Sequence, residues 1–211
     1  MTAMTQLLLY NGALRLLGER RIETLSENRE PRRVLDDAWA EGEVDYCLRL
    51  GQWNFAIRTT RIDYSPSITP EFGLAYGFDK PSDWIRTTAL CSDEYFSSPL
   101  LGAPDESGYW FSDTTEIYVK YVSNDASYGG DLSKWPVNFS KMVMAHLAME
   151  VAPKISDTRT EDMMKLFKQR KLEAKSTDAM DNSTEIPRGR SMWVNARGSG
   201  QNDDRWNGRW N

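Results

Sequence analysis

Few side chains in this sequence have the types and spacing that covalent or acid–base chemistry requires. The one histidine, His146, falls on the apolar face of a predicted helix, which favours a core or interface imidazole bonded to a neighbouring side chain. Cys47 and Cys91 are too few for a disulfide framework or a four-ligand metal site, so we expect two buried, reduced thiols. A nucleophile–base pair between His146 and either cysteine requires a proximity that sequence spacing does not provide.

A run of acidic residues between Asp36 and Asp45 could supply a glycosidase pair or a metal site. Helical spacing instead distributes these carboxylates around the outer face of a helix, and a glycosidase needs one carboxyl in an apolar pocket. The nucleophile-elbow, phosphate-loop, zinc-protease and dinucleotide-binding motifs do not occur in the sequence. We therefore predict a protein that is not an enzyme, with no catalytic residues, no cofactor and no metal site.

The last thirty residues, 182–211, have neither a helical nor a strand period and are rich in Gly, Asn, Ser and Arg. Five arginines against three acidic residues give this tail a charge of +2, so residues 1–181 carry −7 and the whole chain −5. Because Trp and Arg are the residue types most enriched in interface hot spots, we predict that the tail docks on a protein partner. The predicted docking residues are Trp193, Arg197, Arg205, Trp206, Arg209 and Trp210.

Two other interpretations of the tail stay open. It could fold back on its own body, or its Arg-Gly pairs at 188–190 and 197–198 could bind nucleic acid with tryptophans as stacking surfaces. The second interpretation is weakened by the lack of lysine and by the adjacent Asp203 and Asp204. Binding by counterion release scales with the number of phosphates neutralised, and this tail would neutralise few.

The composition argues against a membrane protein, because no apolar stretch approaches the roughly 18–20 residues of a membrane span. The N-terminus has no basic region before its leucine run at 7–9, so a signal peptide is not expected. A chain of 211 residues with 40% hydrophobic positions can form a buried core in one or two domains.

Apolar periodicity predicts helices at residues 4–17, 31–50, 136–155 and 158–181. The second of these is predicted as one continuous helix that Gly51 ends. Runs of aromatic and β-branched residues predict strands at 53–63, 84–91, 108–112 and 116–122. The last two strands flank residues 113–115, so we expect them to form a hairpin.

The order of these elements, with helices at both ends and strands between them, predicts an α+β fold. We expect a helical bundle with an inserted antiparallel β-rich domain and an extended C-terminal tail. The expected boundaries are 1–52 and 132–181 for the helical bundle, 53–131 for the β-rich inserted domain and 182–211 for the docking tail.

Several segments, in their order and spacing, match a known family. The run from Tyr76 through Pro81 and Asp83 to Arg86 resembles its run of tyrosine, proline, x, aspartate, x, x, arginine. The other matching segments are 11–19 (NGALRLLGE), 50–56 (LGQWNFA), 117–122 (IYVKYV), 135–136 (WP) and 145–148 (AHLA). In these features the chain resembles the head-to-tail adaptors of tailed phages, the group typified by the tail tubular protein A of short-tailed phages. The resemblance covers residues 7–181 and does not include the tail.

The resemblance implies a structural virion protein without a cofactor. It would form a ring, with twelve copies as the expected number, at the head-to-tail junction of a virion assembled in the host cytoplasm. The implied partners are the portal protein, further copies of the chain, the downstream tail or nozzle protein and, as a further candidate, the tail fibres. DNA would pass through the ring without specific binding, which suits a net-acidic body because it repels phosphates.

We expect the tail residues Trp206 and Trp210 to insert into portal clefts or into a neighbouring adaptor. Two alternatives from other classes remain: a tail-associated cell-wall hydrolase and a nucleic-acid-binding regulator. The first requires two carboxylates that face one cleft at glycosidase separation, and the second requires salt-dependent DNA binding.

Overall fold

The computed structural model describes residues 3–71 and 73–182 and has an α+β fold, as the sequence predicts. Helices occupy both ends of this part of the chain, and the strands lie between them. The helices are α1 (Gln6–Leu17), α2 (Glu30–Ala40), α3 (Glu43–Arg49), α4 (Val137–Ile155) and α5 (Thr160–Asp181). The strands are β1 (Ile57–Asp63), β2 (Tyr76–Asp79), β3 (Trp84–Cys91), β4 (Asp105–Glu106), β5 (Tyr109–Ser112) and β6 (Glu116–Ser123).

Helix α4 is the centre of the helical region, because it packs against all four other helices. It can do so because buried residues lie on most of its circumference, including the small side chains of Ala145, Ala148 and Ala152. Gly12 of α1 permits an equally close approach, since a Cβ at this position would lie only 2.4 Å from the sulfur of Met144. Small residues on facing helices therefore determine how tightly the helical region packs.

The predicted single helix over 31–50 is wrong, because α2 ends at Ala40 and α3 begins at Glu43. The break lies at Gly42, whose φ of 90° is in the left-handed region that favours glycine. Gly42 lies inside the predicted helix over 31–50, but in the structure it is the residue that separates α2 from α3. Gly18, with a φ of 76°, ends α1 as the sequence predicts.

The strands form two antiparallel three-stranded sheets, ordered β1-β6-β3 and β2-β5-β4. Strand β6 is the central strand of the first sheet, and its register with β1 runs from Ile57 opposite Val122 to Asp63 opposite Glu116. Its pairing with β3 shifts twice, between Trp84 and Arg86 and between Thr87 and Ala89. Each shift interrupts the regular hydrogen-bond ladder between the two strands.

The predicted hairpin between the strands at 108–112 and 116–122 is wrong, because β5 and β6 belong to different sheets. The tight hairpin joins β4 to β5 instead, through Ser107 and Gly108, which have φ values of 51° and 87°. A two-residue hairpin loop of this kind needs positive φ at both central residues. Residues 113–115 contain no glycine, and the Thr114 hydroxyl donates to the carbonyl of Glu116 as the chain crosses to the other sheet.

Two hydrophobic clusters make up the core of the described residues. The larger one joins all five helices and also includes Trp53, Ala56 and Val122 from the start and end of the first sheet. The smaller one lies among the strands and contains Phe78, Trp110, Ile117, Val119 and Tyr121. In the described ranges, no helix is both long and apolar enough to cross a bilayer.

Candidate functional site

The tail residues predicted to dock on a partner lie outside the described residues, so their role stays a prediction. They are Trp193, Arg197, Arg205, Trp206, Arg209 and Trp210. The candidate site is therefore built from the segments that carry the family resemblance and from the side chains with acid–base or metal-binding chemistry.

Asp83 belongs to the run at 76–86 that resembles the adaptor family, and its carboxylate connects the three strands of the first sheet. Its carboxylate accepts hydrogen bonds from the hydroxyls of Ser123 and Tyr121 on β6 and from the guanidinium of Arg58 on β1. The Arg58–Asp83 ion pair has an N–O distance of 2.9 Å, and only 12% of the Asp83 side chain is exposed. One carboxylate thus joins the start of β3 to both other strands of its sheet.

The environment of Asp83 keeps its carboxyl ionised. Burial alone would raise its pKa, but the hydrogen bonds from Ser123 and Arg58 outweigh burial and hold the pKa below its usual range. The neighbouring Tyr121 shows the opposite effect, since burial, reinforced by the charge of Asp83, raises the pKa of its phenol. The cluster is a fixed anion surrounded by donors, which is a stabilising arrangement rather than a proton-transfer site.

Other residues in the segments that resemble the adaptor family also connect separate parts of the fold, through polar atoms of their side chains. The Asn11 side chain both donates to the carbonyl of Ile22 and accepts from its N–H, at 2.9 and 2.8 Å, and so fixes the connector after α1. The indole of Trp53 donates to the carbonyl of Cys47, and the indole of Trp135 donates to the carbonyl of Gly129. Each of these bonds secures a connection between elements.

Lys80, in the same run, lies between two tryptophans. Its ammonium is 3.7 Å from the ring centroid of Trp84 and 5.4 Å from that of Trp110, and it forms an ion pair with Asp105. The Lys80 side chain is 10% exposed. A cation over aromatic faces and beside a carboxylate stabilises the boundary between the two sheets.

His146 has the buried, bonded position that the sequence predicts. Its Nε2 lies 2.6 Å from a carboxylate oxygen of Glu43, and its ring lies between the rings of Tyr46 and Phe167, with centroids 5.0 and 4.8 Å away. The carboxylate of Glu150, one turn later on α4, belongs to the same cluster, in which one ligand atom of each residue lies within 4.8 Å of the others.

The expectation that the carboxylates between Asp36 and Asp45 point outward is wrong for three of them. Glu43 contacts His146, Asp36 accepts from the Tyr10 hydroxyl, and Asp45 accepts from the Asn124 amide. The break at Gly42 rotates α3 relative to α2, so one helical wheel does not describe both. The spacing of His146 and Glu150, four residues apart on one predicted helix, was the only sequence signal for the cluster.

Both cysteines are buried and unpaired within the part of the chain that the structure describes, as the sequence predicts. Burial raises the pKa of the Cys47 thiol, and the charges of Glu43 and Glu150 raise it further. Burial also raises the pKa of Cys91. Because the thiolate is the nucleophile, these environments disfavour a catalytic cysteine.

The four most exposed large apolar side chains of the described residues lie in two parts of the chain. On α5, Leu172 and Met180 are 68% and 73% exposed. Between β3 and β4, Tyr95 and Leu101 are 79% and 95% exposed. A protein partner that covered these side chains would gain free energy from burying their apolar area.

No protein-family model matches the sequence, and no match was found among curated proteins.

Proposed function

We propose that this protein is a structural virion protein, a head-to-tail adaptor whose copies form a ring between the portal and the tail. The observation that carries the proposal is that residues in the segments that resemble the adaptor family connect separate parts of the fold by hydrogen bonds. Asn11, Trp53, Asp83 and Trp135 each bond two parts of the fold together. Residues with this role suit a rigid building block, whose function is to hold its shape under load.

A closed ring of identical subunits requires two different, complementary surfaces on each subunit. The exposed apolar groups supply two such surfaces: the outer face of α5, with Leu172 and Met180, and the connection between β3 and β4, with Tyr95 and Leu101. In this proposal each surface is covered by the neighbouring copy. Single exposed apolar residues are common on monomers, but these two surfaces carry the four most exposed large apolar side chains of the described residues.

The charge distribution also supports a duct for DNA. Residues 1–181 carry a net charge of −7, which repels the phosphates of a passing duplex instead of binding them. The tail carries a net charge of +2, and its Trp and Arg residues are of the types that interface hot spots contain. A protein that gripped DNA along its length would need the opposite distribution.

The proposal is tested by electron microscopy of the protein with phage heads that carry a portal but lack this protein. We expect a ring of subunits on the portal vertex. Leu172→Asp and Leu101→Asp should each prevent the ring, because they place a charge on a surface that the neighbour buries. Ser26→Asp, at an exposed position before α2, is the matched control and should leave the ring intact. Protein that stays monomeric beside intact portals would refute the proposal.

The docking role of the tail needs a separate test. A chain truncated after Asn182 should keep the circular dichroism spectrum of the folded body but should not join portal-bearing heads. Infectious particles assembled with truncated protein would contradict the tail hypothesis and would leave the ring proposal standing.

A further inference from the structure

Three side chains with metal-binding chemistry meet where α3 packs against α4. Glu43 is the first residue of α3, while His146 and Glu150 lie four residues apart on α4 and therefore share a face. One ligand atom from each residue lies within 4.8 Å of the other two. We propose that Glu43, His146 and Glu150 bind one divalent transition-metal ion of the zinc class and thereby hold the start of α3 against α4.

The imidazole of His146 is already fixed in place. The residue is 1% exposed, and its ring is held between Tyr46 and Phe167. Its Nε2 is turned toward Glu43, and its Nδ1 is buried without a hydrogen-bond partner among the described residues. A ring that cannot rotate away presents its nitrogen at little entropic cost, which favours metal binding.

The side chains have to move by about 1 Å to bind an ion. In a tetrahedral site, zinc–nitrogen and zinc–oxygen bonds of about 2.0–2.2 Å place neighbouring ligand atoms roughly 3.3–3.6 Å apart. The Nε2–Oε2 distance of 2.6 Å is the length of a hydrogen bond. The Glu43 carboxylate therefore has to withdraw by about 0.7–1 Å when a cation replaces the proton. The Glu43 side chain is 24% exposed and has room to do so.

The charges around the cluster favour a cation. Burial raises the pKa of Glu150, and the nearby carboxylates of Glu43 and Glu41 raise it further, although His146 lowers it. Several carboxylates therefore share one small region with a single imidazole. A divalent ion would neutralise this excess of negative charge directly.

The ligand atoms identify the class of metal. Imidazole with carboxylates suits zinc and similar borderline ions, whereas magnesium and calcium prefer oxygen ligands alone. Cys47 lies one turn after Glu43, but its sulfur is not among the three ligand atoms that meet in the cluster. We therefore assign a nitrogen–oxygen ligand set without a thiolate.

The test titrates the isolated, chelator-treated full chain with Zn²⁺ by calorimetry and follows its thermal unfolding. We expect one ion per chain and a rise in Tm of about 5–10 °C at a hundredfold excess over Kd. Glu150→Gln, which conserves the volume of the side chain, should leave the metal-free Tm at or slightly above that of the wild type but weaken Zn²⁺ binding by tenfold or more. Glu43→Gln should weaken binding similarly, since the amide can still bond to His146 but is a poor metal ligand.

Glu161→Gln on the exposed start of α5 is the matched control and should bind Zn²⁺ as the wild type does. Absence of stoichiometric binding to the wild type, or equal affinity in Glu150→Gln, would overturn the proposal. Co²⁺ substitution adds a second readout: an intense thiolate-to-cobalt charge-transfer band would make Cys47 a ligand and overturn the assigned set. These measurements use the chain alone, so their failure would leave the adaptor proposal untouched.

Discussion

The helical and strand regions of this protein are held together in different ways. The core cluster that joins α1–α5 contains twenty-five buried residues, whereas the cluster among the strands contains only five within the described residues. Burial of apolar area is the main favourable term in folding, so the helical region can be stable on packing alone. A three-stranded sheet with so small a core needs other interactions.

Polar and cation–aromatic contacts supply what the strand region lacks in apolar burial. Asp83 bonds to both neighbouring strands of its sheet, and Lys80 lies over Trp84 and Trp110 at the boundary of the two sheets. Such contacts are directional and depend on charge, while apolar packing depends on volume. The two regions should therefore respond differently to the same kind of perturbation.

The largest effect should come from emptying the helical core. Phe139 is 1% exposed, and its ring makes edge contacts with Trp53, Phe55 and Trp135 at centroid distances of 4.8–4.9 Å. Phe139→Ala removes this hub and leaves a cavity, so the free energy of unfolding should fall by about 3–5 kcal/mol. Urea denaturation measures the loss.

The exposed neighbour Val137→Ala is the control for Phe139→Ala and should change the free energy of unfolding by less than about 0.5 kcal/mol. A loss below about 2 kcal/mol for Phe139→Ala would contradict the view that apolar packing is what stabilises the helical region.

The strand region should be most sensitive to the loss of one charge. Asp83→Asn conserves volume but leaves Arg58 without its ion pair, and it weakens the bonds from Ser123 and Tyr121. Because the pair is partly exposed, we expect a loss of about 2 kcal/mol. Hydrogen exchange should increase first in β1, β3 and β6.

Asp63→Asn is the control for Asp83→Asn, because Asp63 is an exposed ion-pair partner of Arg61 on β1, and it should have little effect on stability. Equal losses of stability in both variants would contradict the role given to Asp83.

The sequence predicted the elements better than their arrangement. The helix at 136–155 and the strand at 84–91 agree with α4 and β3 to within one residue. The first has apolar residues at helical spacing, and the second is an uninterrupted run rich in aromatic and β-branched residues. The pairing of β5 was mistaken, since the Ser107–Gly108 turn, not the one at 113–115, has the backbone that a tight hairpin needs. Strand partners depend on such turns and on distant segments, which local periodicity does not encode.

The candidate sites show the same limit. Asp83 was singled out only by a family pattern, and its partners Arg58 and Ser123 are 25 and 40 residues away in sequence. Glu43 and His146 are separated by 103 residues and meet only because the chain breaks at Gly42 and α3 packs on α4. Residue types could be recognised from the sequence, but the contacts that give them a role required the tertiary fold.

Lowering the pH should change the stability of the strand and helical regions in different ways, with a smaller effect than the substitutions above. Asp83 has a lowered pKa, so its stabilising contribution is present above the usual carboxyl pKa of about 4 and is lost as the pH falls below it. Burial raises the pKa of Glu150 on α4 and of Asp178 on α5, so the folded state takes up these protons more readily than the unfolded state does. Acidification from pH 7 therefore favours the folded state at Glu150 and Asp178.

Urea denaturation in EDTA between pH 7 and pH 3 checks this contrast in acid response. The difference in stability between the wild type and Asp83→Asn should shrink below about pH 4. Glu150→Gln should be at least as stable as the wild type at pH 7 and should lose that advantage on acidification. A difference for Asp83→Asn that persists unchanged to pH 3 would show that the charge of Asp83 is not what holds the strand region.

The smallest predicted effect concerns the turn that separates α2 from α3. A Cβ at Gly42 would meet no atom within 4 Å, so the only cost of Gly42→Ala is the backbone conformation, whose φ of 90° disfavours an L side chain. We expect a loss of about 1 kcal/mol in the free energy of unfolding, measured by urea denaturation. Gly102→Ala is the matched control, because Gly102 also has open space but no positive φ, and it should be neutral or slightly stabilising. If both substitutions were neutral, the left-handed turn would not be what separates the two helices, and the geometry that brings Glu43 to His146 would need another cause.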